Sequence, residues 1–82
     1  MTITSKTNSI EFKDKTGNSI ELQKGSIRRI RAKQKPPHNV DQICIKAEGR
    51  ALFCFDYAEV TSPVTANKEA LVTLLWTYNT TT

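Results

Sequence analysis

The side chains best placed for chemistry in this chain are a cluster of cations in its first half. Half of the 12 Lys and Arg residues lie within twelve positions, and no acid occurs between Glu21 and Asp41. In an extended strand, alternate residues share one face about 6.6 Å apart, which is near the spacing of successive phosphates in a nucleic-acid backbone. The pattern predicts a site for nucleic acid or for an acidic partner, formed by Arg28, Arg29, Arg31, Lys33 and Lys35.

A second interpretation of this basic stretch stays open. Alternating charge is also typical of a solvated edge strand that charge protects against aggregation. The stretch lacks interleaved aromatic residues, which single-strand binders usually offer as stacking platforms for bases.

Catalytic and metal-binding patterns are missing from the sequence. His38 is the only histidine and stands beside two prolines, and no nucleophile or carboxylate can be paired with it. Asp56 and Glu59 flank a tyrosine after a predicted strand, where turn and capping roles are the simpler interpretation. Two cysteines lack the spacing of a zinc site. We therefore expect a protein that is not an enzyme, with no metal, no cofactor and no small-molecule substrate.

The two cysteines are predicted to face each other. Val40 to Ala47 and Ala51 to Tyr57 both alternate in polarity, and a three-residue turn at positions 48–50 pairs Cys44 with Cys54. Both then lie on the sheet face opposite to the phenylalanines of the second strand. Facing thiols can form a redox-sensitive bridge, but small reduced cysteines packed together are commoner in cytoplasmic proteins, and that is the favoured interpretation.

The last third of the chain carries the clearest helical pattern. Leu71, Leu74, Leu75 and Tyr78 form the stripe of a helix laid on a sheet, and Asn67 is a suitable N-cap. Val72 and Trp76 widen the apolar sector beyond what one sheet contact needs. They are therefore predicted either to cover the chain's own core or to form a protein interface.

These segments predict a single small α+β domain. A hairpin around residues 14–18, the basic strand and the cysteine hairpin give a four- to five-stranded antiparallel meander, as a curled sheet or a partly open barrel, with one C-terminal helix packed on it. We expect residues 1–8 to be a flexible N-terminal arm or an edge extension, 9–79 the domain and 80–82 a disordered tail. The predicted core is Ile10, Phe12, Ile20, Leu22, Ile30, Ile43, Ile45, Phe53, Phe55, Leu71, Leu74 and Leu75.

The size and composition of the chain limit the functions that it can have. A domain of 82 residues has a marginal core, which favours self-association or docking on a partner. The formal charge of +4 permits an acidic partner without requiring one. The polar N-terminal residues lack a signal-peptide core and no apolar run would span a bilayer, so we expect neither secretion by signal peptide nor a transmembrane or membrane-bound protein.

A family resemblance adds a more specific expectation. The run Asp56-Tyr57-Ala58-Glu59-Val60-Thr61-Ser62-Pro63-Val64-Thr65-Ala66 before a Leu-rich helix resembles the C-terminal segment of small virion-associated or assembly proteins of Bacteroidetes bacteriophages and prophages. The upstream Ser-Ile-Glu-Phe and Gly-Asn-Ser-Ile-Glu-Leu strands are similar in style. The resemblance implies a non-enzymatic structural protein in a virion or in the host cytoplasm, acting by self-association or by binding other virion proteins.

An analogy at the level of topology supports a different function. Several strands followed by a helix is the plan of some single-stranded nucleic-acid-binding modules. The alternative expectation is therefore a binder of single-stranded DNA or RNA that uses the basic strand at residues 28–35.

Overall fold

The computed structural model describes residues 1–80 and shows an α+β arrangement of two three-stranded antiparallel sheets and one helix. Sheet A has the order β1-β2-β3 and sheet B the order β4-β5-β6. A short 3-10 turn, Tyr57–Glu59, follows the last strand. The strands are β1 (Thr2–Ser5), β2 (Ser9–Lys13), β3 (Ser19–Gln23), β4 (Ile27–Lys35), β5 (Val40–Ala47) and β6 (Phe53–Asp56), and the helix is α1 (Lys68–Thr80).

The fold class is confirmed, but the single meander is wrong. The turn at residues 24–26 does not return the chain alongside β3; it carries the chain from sheet A into sheet B. The two sheets meet through aromatic side chains, with the ring centroid of Phe12 5.3 Å from that of Phe53 and 5.9 Å from that of Phe55. Six strands divided between two sheets bury an apolar layer between them, which a small domain with one open sheet would leave partly exposed.

The N-terminal segment contains an edge strand. β1 pairs antiparallel with β2, and Ile3 is 4% exposed within the core. The backbone amide of Ile3 also donates to Ser62 O at 2.8 Å, and that of Thr61 donates to Met1 O at 2.8 Å. β1 is therefore hydrogen-bonded on both sides, to β2 and to the segment at Thr61 and Ser62. Of the predicted tail, Thr80 closes α1, and residues 81–82 lie outside the described part of the chain.

The hairpin of sheet A follows the sequence prediction closely. Asp14 accepts hydrogen bonds at Oδ1 from the amides of Thr16, at 2.9 Å, and Asn18, at 3.0 Å. Gly17 completes the turn with a φ of +93°, a conformation that residues with a Cβ rarely adopt. The turn pairs Phe12 with Ile20 and so places the apolar residues of β2 and β3 on one face.

The helix packs on β4 and β5. Asn67 caps it as predicted, with Oδ1 accepting from the amide of Ala70 at 2.8 Å, and Leu71 and Leu75 are fully buried. The helix is not the main cover of the aromatic end of sheet B, since Phe12 of sheet A contacts both phenylalanines there. Nine of the twelve predicted core residues are buried, and the other three are partly buried against the core: Ile20, Phe53 and Leu74.

Candidate functional site

The face of sheet B that points away from the core carries most of the cations of the basic stretch. β4 pairs Arg29 with Lys46 and Arg31 with Cys44, while the intervening positions Ile30 and Ala32 pair with core residues of β5. The alternation between side chains on the core face and side chains on the opposite face continues along β4 and across β5 into β6. We name as the outer face the paired positions Arg29, Arg31, Lys33, Lys35, Val40, Gln42, Cys44, Lys46, Cys54 and Asp56.

A β-bulge at the start of β4 gives the cations this orientation. Ile27 pairs with Ala47, but the next pair joins Arg29 to Lys46, so one residue of β4 has no partner. Ile27 and Ile30 are three positions apart and are both buried, which a regular strand would not allow. This bulge sets which face of β4 the cations that follow occupy.

The charges of the outer face are unbalanced. Its paired positions include five cations, since Lys46 joins the four of β4, and one acid, Asp56. Oδ1 of Asp56 accepts from Nε2 of Gln42 at 3.2 Å, and Nζ of Lys46 donates to Arg50 O at 2.5 Å. Within residues 1–80 no hydrogen bond or ion pair involves the side chains of the four β4 cations, which are Arg29, Arg31, Lys33 and Lys35. All four are exposed.

Arg28, which the predicted site includes, does not belong to this row. It occupies the bulge, forms an ion pair with Glu48 and donates from Nη1 to Gly25 O at 3.0 Å. Its charge is already paired with that of Glu48, and its hydrogen bond to Gly25 O joins β4 to the turn between the sheets. Lys46 is the cation that the prediction missed, although its spacing of two from Cys44 places it on the same face.

The two residues of the predicted protein interface on the helix pack partly against the chain's own core. Val72 and Trp76 are each partly buried and pack against the core cluster, as do Leu74 and Tyr78. The broad apolar sector of α1 therefore contacts the chain's own core, and the helix lies on β4 and β5 of sheet B. Only the remaining exposed parts of Val72 and Trp76 are free to meet a partner.

The cysteines form a disulfide, so the interpretation of reduced packing is wrong. Cys44 and Cys54 are directly opposed in β5 and β6, with a Cα–Cα distance of 4.1 Å, and their sulfurs are bonded. The register follows the prediction. The bridge lies in the middle of the outer face, with Cys44 buried and Cys54 exposed.

The other residues considered for chemistry are dispersed. His38 is exposed in the turn between β4 and β5, and Asp56 is engaged with Gln42 and gives no side-chain cap to the 3-10 turn.

A small pocket beside the β2–β3 turn has an apolar floor that includes Phe12 and Phe53. Within residues 1–80 no three His, Cys, Asp or Glu side chains gather in a metal-ligand arrangement. Over the same range no helix has the length and apolarity that crossing a membrane needs.

An ion-pair group centred on Lys6 lies away from the outer face. Nζ of Lys6 lies 3.3 Å from Glu11 and 3.1 Å from Glu21, which oppose each other across β2 and β3. Hydrogen bonds to Glu21 and Glu11 raise the pKa of Lys6, and hydrogen bonds from the hydroxyl of Ser9 and then from the ammonium of Lys6 lower the pKa of Glu21. Lys6 thereby offsets the repulsion between two facing carboxylates.

The fold and the outer face together define a small α+β domain with one cationic sheet surface. Comparison of the chain with protein-family models, with curated proteins and with solved structures gave no significant match.

Proposed function

We propose that this chain is a non-enzymatic binding protein whose outer face holds the backbone of a single-stranded nucleic acid. The observation that supports the proposal is the row of four exposed β4 cations without protein partners: Arg29, Arg31, Lys33 and Lys35. They stand at two-residue steps of about 6.6 Å along a straight strand. A flexible single strand can extend along such a row and place successive phosphates beside successive cations.

The outer face favours contacts with phosphates over contacts with bases. Phe53 and Phe55 belong to the opposite side of sheet B and contact Phe12, and the hydroxyl of Tyr57 bonds Thr65. Within the described residues, the paired positions of the outer face include no aromatic side chain on which a base could stack. Affinity should therefore come from release of counterions and be nearly independent of sequence.

Fluorescence anisotropy with a labelled oligonucleotide of mixed sequence tests this function. The double variant Arg29→Glu, Arg31→Glu should abolish binding, while Lys13→Glu, Lys15→Glu is the matched control. The control changes the net charge equally, but its lysines lie at the end of β2 and in the following turn. Four phosphate contacts predict a slope of about −2.8 in a plot of log K against log salt, which is about a 50-fold loss of affinity between 50 and 200 mM.

Three results would contradict the proposal: equal binding by the two double variants, a salt slope near zero, or tighter binding to duplex than to single-stranded DNA at equal phosphate number. The first would mean that only net charge matters. The third would assign the face to a different nucleic-acid structure.

A structural role in a phage particle is the second candidate, placing the protein in a virion or in the host cytoplasm. It is supported by the resemblance of the C-terminal segment and by Val72 and Trp76, which remain partly exposed one turn apart on α1. In this role the chain would self-associate or bind a larger protein shell through α1. Sedimentation velocity should then show oligomers that Trp76→Gln weakens and that the control Leu52→Gln, at a position 56% exposed, does not. A single monomeric species that does not co-sediment with phage particles would contradict it.

A further inference from the structure

We propose that the Cys44–Cys54 bridge is a thiol-exchange site at which a small anionic thiol attacks Sγ of Cys54 and leaves a mixed disulfide on that residue. This exchange does not depend on the proposed binding of nucleic acid, because modification of the sulfur is measured directly.

The two sulfurs differ in access. Cys44 lies in the central strand of sheet B and is 3% exposed, whereas Cys54 lies in the edge strand β6 and is exposed. A thiolate attacks a disulfide sulfur from the side opposite to the leaving sulfur. For Cys54 that approach comes from beyond β6, where no further strand of residues 1–80 pairs with the sheet. For Cys44 it comes from β4, where Arg31 is the register neighbour.

The same arrangement favours Cys44 as the leaving group. Arg31 stands beside Cys44 on the outer face, and Lys46 follows Cys44 by two positions on that face. Nearby cations stabilise a thiolate, and a more stable thiolate leaves faster. They also raise the local concentration of an anionic reagent. Asp56 opposes this effect on the Cys54 side, but its carboxylate is engaged with Gln42.

The exchange between the incoming thiol and the disulfide needs no added oxidant. The incoming thiolate forms a new bond to Sγ of Cys54, the bond between the two cysteine sulfurs breaks, and the electron pair of that bond leaves on Sγ of Cys44 as a thiolate. A second equivalent of the same thiol completes reduction by releasing Cys54 and forming the small-molecule disulfide. A thiol that carries carboxylate or sulfonate groups thereby adds negative charge to a cationic face.

Single-cysteine variants test the difference in access. Cys44→Ser leaves Cys54 alone, and Cys54→Ser leaves Cys44 alone. With dithiobis(nitrobenzoate), a dianionic disulfide, we expect Cys54 to react at least about tenfold faster than Cys44 when each variant is folded by circular dichroism. Equal rates, or faster reaction at Cys44, would overturn the assignment.

The wild type provides a measurement that does not rely on folding of the variants. Brief exposure to mercaptoethanesulfonate, an acid quench and alkylation by N-ethylmaleimide should give a peptide map with the sulfonate on Cys54 and the maleimide on Cys44. The reverse pattern would overturn the proposal.

A pair of thiols of similar size isolates the role of charge. Compared per thiolate, mercaptoethanesulfonate should open the bridge several-fold faster than cationic cysteamine. Arg31→Gln should reduce that preference and Lys13→Gln should not. A preference for cysteamine, or equal rates with the wild type, would show that the cations do not select the reagent.

Discussion

The side chain of Asn79 hydrogen-bonds both backbone groups of Ile27. Its Oδ1 accepts from the amide of Ile27 at 3.2 Å, and its Nδ2 donates to the carbonyl of Ile27 at 3.4 Å. The same Oδ1 accepts from the amide of Gly25 at 2.8 Å. Asn79 is 7% exposed, so the last turn of α1 is joined to the turn that connects the two sheets. The bulge that orients the cations begins immediately after this junction.

Asn79→Ala should therefore lower the free energy of unfolding by about 1–3 kcal/mol, because the buried amide of Ile27 and the part-buried amide of Gly25 lose their acceptor. Urea denaturation followed by circular dichroism measures the change. Asn8→Ala is the matched control at an exposed asparagine, and it should alter stability by less than about 0.5 kcal/mol. Equal effects of the two substitutions would contradict a structural role for the Asn79 side chain.

The aromatic contact between the sheets gives a second prediction. Phe12 is 1% exposed and meets both phenylalanines of β6, whereas Phe53 is only partly buried. Phe12→Ala should cost about 3–5 kcal/mol, and Phe53→Ala should cost less because its ring leaves a smaller cavity. A larger loss for Phe53→Ala would show that the two sheets are not held mainly through Phe12.

Sequence patterns predicted the elements whose structure is set by residues close together in the chain. The β5–β6 register followed from alternation across a short turn, and the start of α1 followed from Asn67 and the leucine stripe. The bounds of β1 were not predictable, because Ile3 is its only buried residue and no alternation of apolar residues was visible. The division into two sheets was missed because a turn that leaves a sheet carries the same residue types as a hairpin turn.

The candidate site was predictable to a similar extent. Two-residue spacing identified the row from Arg29 onwards, since strand geometry alone sets which side chains share a face. The engagement of Arg28 with Glu48 was not predictable because the partner lies beyond the next strand in the sequence. Buried Asn79 carried no local signal, since an asparagine near a helix end usually faces water.

The disulfide gives a prediction about stability. It joins residues ten positions apart, and a loop of that length predicts a contribution of about 2–3 kcal/mol through the entropy of the unfolded chain. The double variant Cys44→Ala, Cys54→Ala should show this loss in urea denaturation without a reductant. Addition of a reductant should bring the wild type close to the variant, and an unchanged difference would contradict the assigned role of the bridge.

The ion pair between α1 and β5 predicts a dependence of stability on pH. Nζ of Lys68 lies 2.7 Å from Oδ1 of Asp41, and this hydrogen bond, followed by one from Gln34, lowers the pKa of Asp41 below its ordinary value of 3.8. A carboxyl whose pKa is lower in the folded state stabilises the fold above its unfolded pKa. That stabilisation is lost as the pH falls below about 3.8 and through the folded pKa.

A double-mutant cycle of Asp41→Asn and Lys68→Met isolates this contribution from those of Asp14 and Glu21, whose pKa values are also lowered. The coupling between the two substitutions should be favourable at pH 7 and should disappear near pH 2, because the protonated carboxyl no longer attracts the ammonium. Urea denaturation of the four proteins at both pH values measures it. Coupling of equal size at pH 2 would mean that Lys68 and Asp41 interact through packing and not through charge.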